Sequence, residues 1–154
     1  MFALMVLIQR KEPRIVPLLC EGLTRSVIGG FYDSYNKLGY GFYESVCVNA
    51  LCIELGRRGH RLERELSIPV YYDGDIIGAY KADLVVDRTL IVEVKAEPAI
   101  SGVHERQLRN YLACTTYELG LILCYGLEPQ FKRIIHTRNI KKKVVNPWSL
   151  PSNP

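Results

Sequence analysis

Three charged residues, Asp83 and then Glu93 and Lys95, stand among apolar neighbours on two adjoining segments. Glu93 and Lys95 are two apart, so on an extended segment their side chains leave the same face. A two-residue turn at Asp87-Arg88 makes the segments carrying Asp83 and Glu93 antiparallel neighbours, and their carboxylates can approach each other across the ladder. Carboxylates that close repel, and a cation or a raised pKa must relieve the repulsion. Mg²⁺ suits oxygen ligands of this kind and keeps several waters. Lys95 beside such a pair can orient an attacking water or stabilise developing negative charge. Glu-x-Lys alone is a common exposed ion pair. Ile91, Val92 and Val94 around it, and an acid on the adjacent strand, set this one apart.

Two further groups of residues join this constellation. His104, Gln107 and Tyr111 are spaced by three and four, which places them on one face of a helix. Gln107 and Tyr111 can hydrogen-bond a phosphate or orient Lys95, although such a face is also what an ordinary amphipathic helix turns to solvent. Glu44 follows Gly39-Tyr40-Gly41 at the start of a second helix. It is either a partner of the helix dipole or a further carboxylate for a metal. Other chemistries are excluded. His104-Glu105-Arg106-Gln107-Leu108 lacks the second His of a zinc protease helix, and no strand precedes the glycines at 39 and 41, as a dinucleotide site requires. His60 and His136 show no evident partner and read as surface residues.

The elements that must position these groups follow from the hydrophobic period. Leu23, Val27, Phe31 and Tyr35 predict a helix over 20–37, and Val48, Leu51 and Leu55 a second over 42–58 that stops at Gly59. The period then becomes two. Strands are predicted over 62–72, 76–86 and 89–97, joined by tight turns at Asp73-Gly74 and Asp87-Arg88. The third, with its core Leu-Ile-Val-Glu-Val-Lys, is expected to be central and buried on one face. Ser101 is a plausible N-cap for a helix over 102–114. Leu119 to Tyr125 is apolar enough for a buried strand, and 131–136 is the last. The order is a meander, a crossover helix, then a strand able to pair in parallel. That makes one α/β sandwich with a central mixed sheet flanked by helices.

Composition fits such a domain: 154 residues, 48% hydrophobic and 23% charged, which excludes a disordered or fibrous chain. The longest apolar run, Met1 to Ile8, is too short to cross a bilayer and makes a poor signal peptide, so no membrane association is expected. Five cysteines without a C-x-x-C spacing read as free thiols in a reducing, cytoplasmic compartment. Charge is unevenly spread. Residues 1–128 carry all 16 acids against 14 bases, whereas 129–154 carry six bases and no acid: Lys132, Arg133, Arg138, Lys141, Lys142 and Lys143. That basic end suits a phosphate-bearing partner, or simply keeps the protein soluble. The expected organisation is an irregular lead-in over 1–18, a folded domain over 19–138 and a basic tail over 139–154.

With these residues in place a resemblance emerges. Asp83, nine residues, then Glu93-Val94-Lys95 resembles the bipartite motif of the PD-(D/E)XK nuclease superfamily. Gln107-Leu-Arg-Asn-Tyr111 is similar to the Q-x-x-x-Y motif of its RecB-like branch. Leu38-Gly39-Tyr40-Gly41-Phe42-Tyr43-Glu44-Ser45 resembles the signature of the GxxExxY family, an uncharacterised bacterial group assigned to that superfamily. The likeness spans Leu23 to His136. It departs at Cys47, where the signature has Tyr, and at Ala82, where the motif has Pro. The resemblance implies a restriction-endonuclease-like fold and metal-assisted phosphodiester hydrolysis, with DNA as the expected substrate. It implies that Asp83 and Glu93, helped by the Val94 carbonyl, bind Mg²⁺ or Mn²⁺. Lys95 would position the attacking water, and Glu44 would be a further ligand or a proton acceptor. Gln107 and Tyr111 would support the scissile phosphate or Lys95, and the six basic residues of 129–154 would contact nucleic acid. The rival readings are a non-catalytic module of the same fold that binds nucleic acid or a protein, and a structural dimerisation domain. So small a chain is expected to work as a homodimer or within a larger complex.

Overall fold

The computed structural model describes residues 16–137. Eight elements follow in order: α1 (Val16–Leu38), α2 (Glu44–Arg57), β1 (Leu62–Tyr72), β2 (Asp75–Val86), β3 (Leu90–Lys95), α3 (Gly102–Ala113), β4 (Leu119–Tyr125) and β5 (Pro129–Ile135). The first helix begins at Val16, inside the stretch expected to be irregular. Pro17 is no obstacle in a first turn, where its missing N–H has no intrahelical partner to lose.

The strands form one sheet in the order β1-β2-β3-β4-β5. All neighbours are antiparallel except β3 and β4, which α3 connects and which pair in parallel from Leu90↔Leu119 to Lys95↔Cys124. This is the expected mixed sheet, and both of its faces are covered. Leu90, Val92 and Val94 pack with Leu121 and Leu123 beneath α1 and α2, against Val27, Phe31, Leu51 and Leu55. Ile91, Val85 and Ile122 pack on the opposite face beneath Leu108, Tyr111 and Leu112 of α3. Every residue of β3 is therefore buried, not one face of it. The alternation along the strand puts Glu93 and Lys95 on the α3 side, in the register of Ile91.

Helix α3 sits low on the sheet. A Cβ on Gly120 would meet three side-chain atoms of Leu108 at 2.8–2.9 Å, so the glycine lets the helix come down onto β4. On the other face, the Ser34 hydroxyl and the Tyr125 hydroxyl lie 2.6 Å apart and tie α1 to β4.

His60 has partners, contrary to the expectation. Its Nε2 lies 2.7 Å from Ser26 Oγ and its Nδ1 2.7 Å from Asp87 Oδ2, while Asp87 Oδ1 accepts from the Arg61 N–H at 2.8 Å. Burial pushes the Asp87 carboxyl up, but the bonds from His60 and Arg61 outweigh it and hold the group below its ordinary value. Asp87 and Arg88 both have positive φ, 50° and 52°, as a two-residue hairpin turn of this hand requires. The cluster clamps α1 onto that turn.

Candidate active site

The β2–β3 ladder is short. It pairs Val86↔Leu90, Val85↔Ile91 and Leu84↔Val92 and stops before Asp83 and Glu93, which would be the next pair. Where the ladder ends, the Val94 N–H donates to Asp83 Oδ2 at 2.8 Å, so a side chain replaces a backbone acceptor. On the other side of β2, the register places Glu65 of β1 opposite Asp83, and Glu65 has φ 53°, an uncommon conformation for a residue with a side chain. The sheet thus opens at the acidic pair, and α3 lies over the opening.

Glu93 is 2% exposed. Its Oε1 accepts from Lys95 Nζ at 2.9 Å and from Gln107 Nε2 at 2.9 Å. The Gln107 Nε2 also donates to the Tyr111 hydroxyl at 2.6 Å, and that hydroxyl donates to the Lys81 carbonyl at 3.2 Å. Gln107 and Tyr111 thereby link β3 to β2 across the gap that the missing ladder leaves. Both reach the site as the spacing of α3 predicts, but Gln107 acts on Glu93, not on Lys95. His104 does not join them. Its Nδ1 accepts from the Ser101 N–H at 3.1 Å and its Nε2 lies 3.1 Å from Glu97 Oε2, so it serves the start of the helix.

Electrostatics mark the same spot. Burial, and then the charge of Asp83, push the Glu93 carboxyl up to about 7 against the opposing pull of Lys95. Burial also raises Asp83, opposed by the Val94 N–H and Lys95. Lys95 is buried too, which lowers its pKa, yet its bond to Glu93 and the charges of Glu93, Glu44 and Asp83 outweigh this and raise it. One cation faces three acids. Glu44 completes the group from across the sheet end, at the first position of α2, with a hydrogen bond from the Ala96 N–H. Burial raises its pKa as well, with Asp83 and Glu97 adding to the effect and Lys95 opposing it.

Glu93 Oε2 is buried without a hydrogen-bond partner among the described residues. An unpaired buried carboxylate oxygen is costly, and it fits a hard cation that takes oxygen ligands. The donor set fits too. Asp83 and Glu93 are hard oxygen donors and would serve a cation with waters completing its shell, although among the described residues no three His, Cys, Asp or Glu side chains form a ready cluster. Mg²⁺ is commonly held through one or two carboxylates in this way.

The chain matches the family model described as the PD-(D/E)XK nuclease superfamily over residues 21–134. That match covers most of the sequence and all of the elements just described except the start of α1 and the last residue of β5. The chain belongs to the PD-(D/E)XK nuclease superfamily. No curated protein matches it. Among solved structures, the crystal structure of SSO0001 is similar at 17% identity with a TM-score of 0.47, covering 79% of this chain. This chain spans 62% of the length of that one.

The remaining expected residues lie elsewhere. Lys132 and Arg133 are on β5, at the sheet edge, two strands from Glu93. Lys132 Nζ is paired with Glu105 Oε1 of α3 at 2.6 Å, and Arg133 Nε is buried without a partner among the described residues. Arg138, Lys141, Lys142 and Lys143 lie outside the described residues, as does the tail 139–154. No described helix is long and apolar enough to cross a membrane. Sequence reasoning missed the Ala96 N–H on Glu44 and the Lys81 carbonyl on Tyr111. Both are backbone groups, and no residue type signals them.

Proposed function

We propose that this chain is a metal-dependent nuclease that hydrolyses phosphodiester bonds in DNA at the Asp83–Glu93–Lys95 site. Superfamily membership supports nuclease chemistry. The observation that carries the metal and the site is Glu93, a buried carboxylate with one oxygen held by Lys95 and Gln107 and the other unpaired, beside Asp83. Asp83 and Glu93, with the Val94 carbonyl, would hold Mg²⁺ or Mn²⁺. The cation would neutralise their charge and polarise a phosphoryl oxygen.

The chain's own residues do the rest. Lys95 stays cationic because three acids surround it, so it can hold the attacking water or the charge that develops on the phosphate. Glu44, raised by burial, is the better proton acceptor for it, being closer to the working pH than an exposed Glu. Gln107 and Tyr111 fix the Glu93 carboxylate and keep the strand ends apart. The Gln107–Tyr111 link supports the RecB-like branch, and Glu44 at the first position of α2, after Gly39 and Gly41, supports the GxxExxY family. The free cysteines fit a reducing cytoplasm. We assign the basic residues 132, 133, 138 and 141–143 to backbone contacts with the nucleic acid, and a homodimer or larger complex to the working form.

The test is cleavage of single- and double-stranded DNA in Mg²⁺, Mn²⁺ or EDTA, with Lys95→Ala alongside. Cleavage that requires metal and is lost in the variant is expected. DNA binding that is indifferent to metal, with no cleavage in any condition, would overturn the enzyme reading in favour of a binding module.

A further inference from the structure

The loop that delivers Glu44 to the site carries three exposed aromatic rings. Tyr40 is 59% exposed, Phe42 45% and Tyr43 85%. Gly39 and Gly41, at φ 81° and 92°, turn the chain twice between them. The loop is held at both ends. The Gly39 N–H donates to Tyr35 O at 2.7 Å, and Tyr43 caps α2, its carbonyl accepting from Val46 and Cys47. The loop backbone is therefore anchored at both ends, while its rings stand largely in solvent. A fourth ring lies beside the Glu93 network. Tyr80 of β2 is 37% exposed, and its ring centroid is 5.4 Å from that of Tyr111, whose hydroxyl belongs to the Glu93 network.

We infer that these rings, above all Tyr40, Phe42 and Tyr43, are a stacking platform for unpaired bases, and that the site takes single-stranded nucleic acid. This rests on the nuclease reading and names its substrate class. The argument is continuity. Tyr43 immediately precedes Glu44, whose carboxylate faces Asp83 and Lys95, so a strand whose base rests on the loop would have its phosphates within a residue's reach of the acidic cluster. Exposed aromatic faces attract bases of any sequence, because every base has a π-face. A duplex hides those faces within its own stack and offers only edges and backbone, so an intact duplex gains nothing from the rings.

The experiment measures binding of the full chain, in EDTA, to a short oligothymidylate, the same length of abasic strand, an oligouridylate and a matched duplex. Binding in EDTA keeps the result independent of cleavage. The wild type should prefer base-bearing single strands over the abasic strand by about tenfold or more, the range that stacking of one base or more provides. The Tyr40→Ser, Phe42→Ser, Tyr43→Ser triple variant should fall to the abasic level on single strands and keep its duplex affinity. Tyr43→Trp should retain single-strand binding, which separates a stacking role from a folding role. The oligothymidylate and the oligouridylate differ in the sugar and in the base methyl, and both should bind, since stacking needs only a π-face. Equal wild-type affinity for abasic and base-bearing strands would overturn the inference. So would an unchanged triple variant, which would leave the rings to a protein partner, or a loss that is the same on duplex. If no metal supports cleavage yet binding needs bases and the rings, the nuclease reading fails and the platform stands.

Discussion

Glu93 should make the metal-free protein less stable as pH rises, which reverses the usual behaviour of a paired carboxylate. Its folded pKa is about 7, whereas an exposed Glu titrates near 4.5. Between those values the native state holds a proton that the unfolded chain has lost, so stability falls with increasing pH. The contribution is fully present below about 4.5 and gone once pH has passed through about 7. At about 1.4 kcal/mol for each pH unit the whole effect is about 3 kcal/mol, and roughly 2.5 kcal/mol of it falls between pH 5 and pH 8. The residue is nearly fully buried, so solvent screening does not erode the figure. The perturbation is Glu93→Gln, which keeps the shape and removes the titration. Urea unfolding of both proteins in EDTA at pH 5, 6, 7 and 8 gives the difference directly. The wild type should lose about 2–3 kcal/mol more than the variant across that range. Parallel curves would refute the reasoning, because they would mean that Lys95 and Gln107 stabilise the anion enough to cancel its burial.

Three other outcomes follow from the same geometry. Millimolar Mg²⁺ at pH 8 should raise the melting temperature of the wild type, by about 2.7 kcal/mol in stability at a hundredfold excess over Kd, and leave Asp83→Ala unmoved by calorimetry. Gly120→Ala should cost about 1–3 kcal/mol in chemical denaturation, because its methyl enters the space of Leu108, and it should weaken nuclease activity by lifting Gln107 from Glu93. His60→Ala should cost about 0.5–1.5 kcal/mol by removing the bonds to Ser26 Oγ and Asp87 Oδ2, with Asp87 Oδ1 still held by the Arg61 N–H, while metal-dependent cleavage persists, since the clamp joins α1 to the 87–88 turn and not to the carboxylate group.

What the sequence discloses here is what short-range periodicity can carry. Leu90 to Lys95 and Leu119 to Tyr125 read as strands from their apolar runs, Asp73-Gly74 and Asp87-Arg88 read as turns, and the strand bounds 62–72 and 119–125 match to the residue. Asp83, Glu93 and Lys95 are legible because one turn and one two-residue step bring them together. The full burial of β3 is not, because it depends on α3 covering Glu93 and Lys95, and nothing local distinguishes a covered pair from an exposed one. The His60 clamp is illegible for a similar reason. Its partners are 34 residues upstream and 27 downstream, and no period links them. Gln107 is expected to serve a phosphate or Lys95, and its bond to Glu93 is not legible, since spacing fixes the face but not which strand residue lies under it.

The opening in the sheet explains why the acids are both close and strained. Had the β2–β3 ladder continued, Asp83 and Glu93 would sit side by side as an ordinary cross-strand pair, each free to turn toward solvent. Instead the strands part, the Val94 N–H takes Asp83 as its acceptor, and α3 closes over Glu93. The carboxylates lose solvent without gaining enough donors, and that shortfall is the unpaired Oε2 and the raised pKa. Gln107 and Tyr111 keep the parted strands from collapsing, through the Lys81 carbonyl on one side and Glu93 on the other. The same arrangement that weakens the protein at neutral pH in EDTA is therefore what a divalent cation would relieve. Loss of stability on deprotonation and gain of stability on metal binding should then depend on the same two carboxylates, Asp83 and Glu93, and vary together when either is changed.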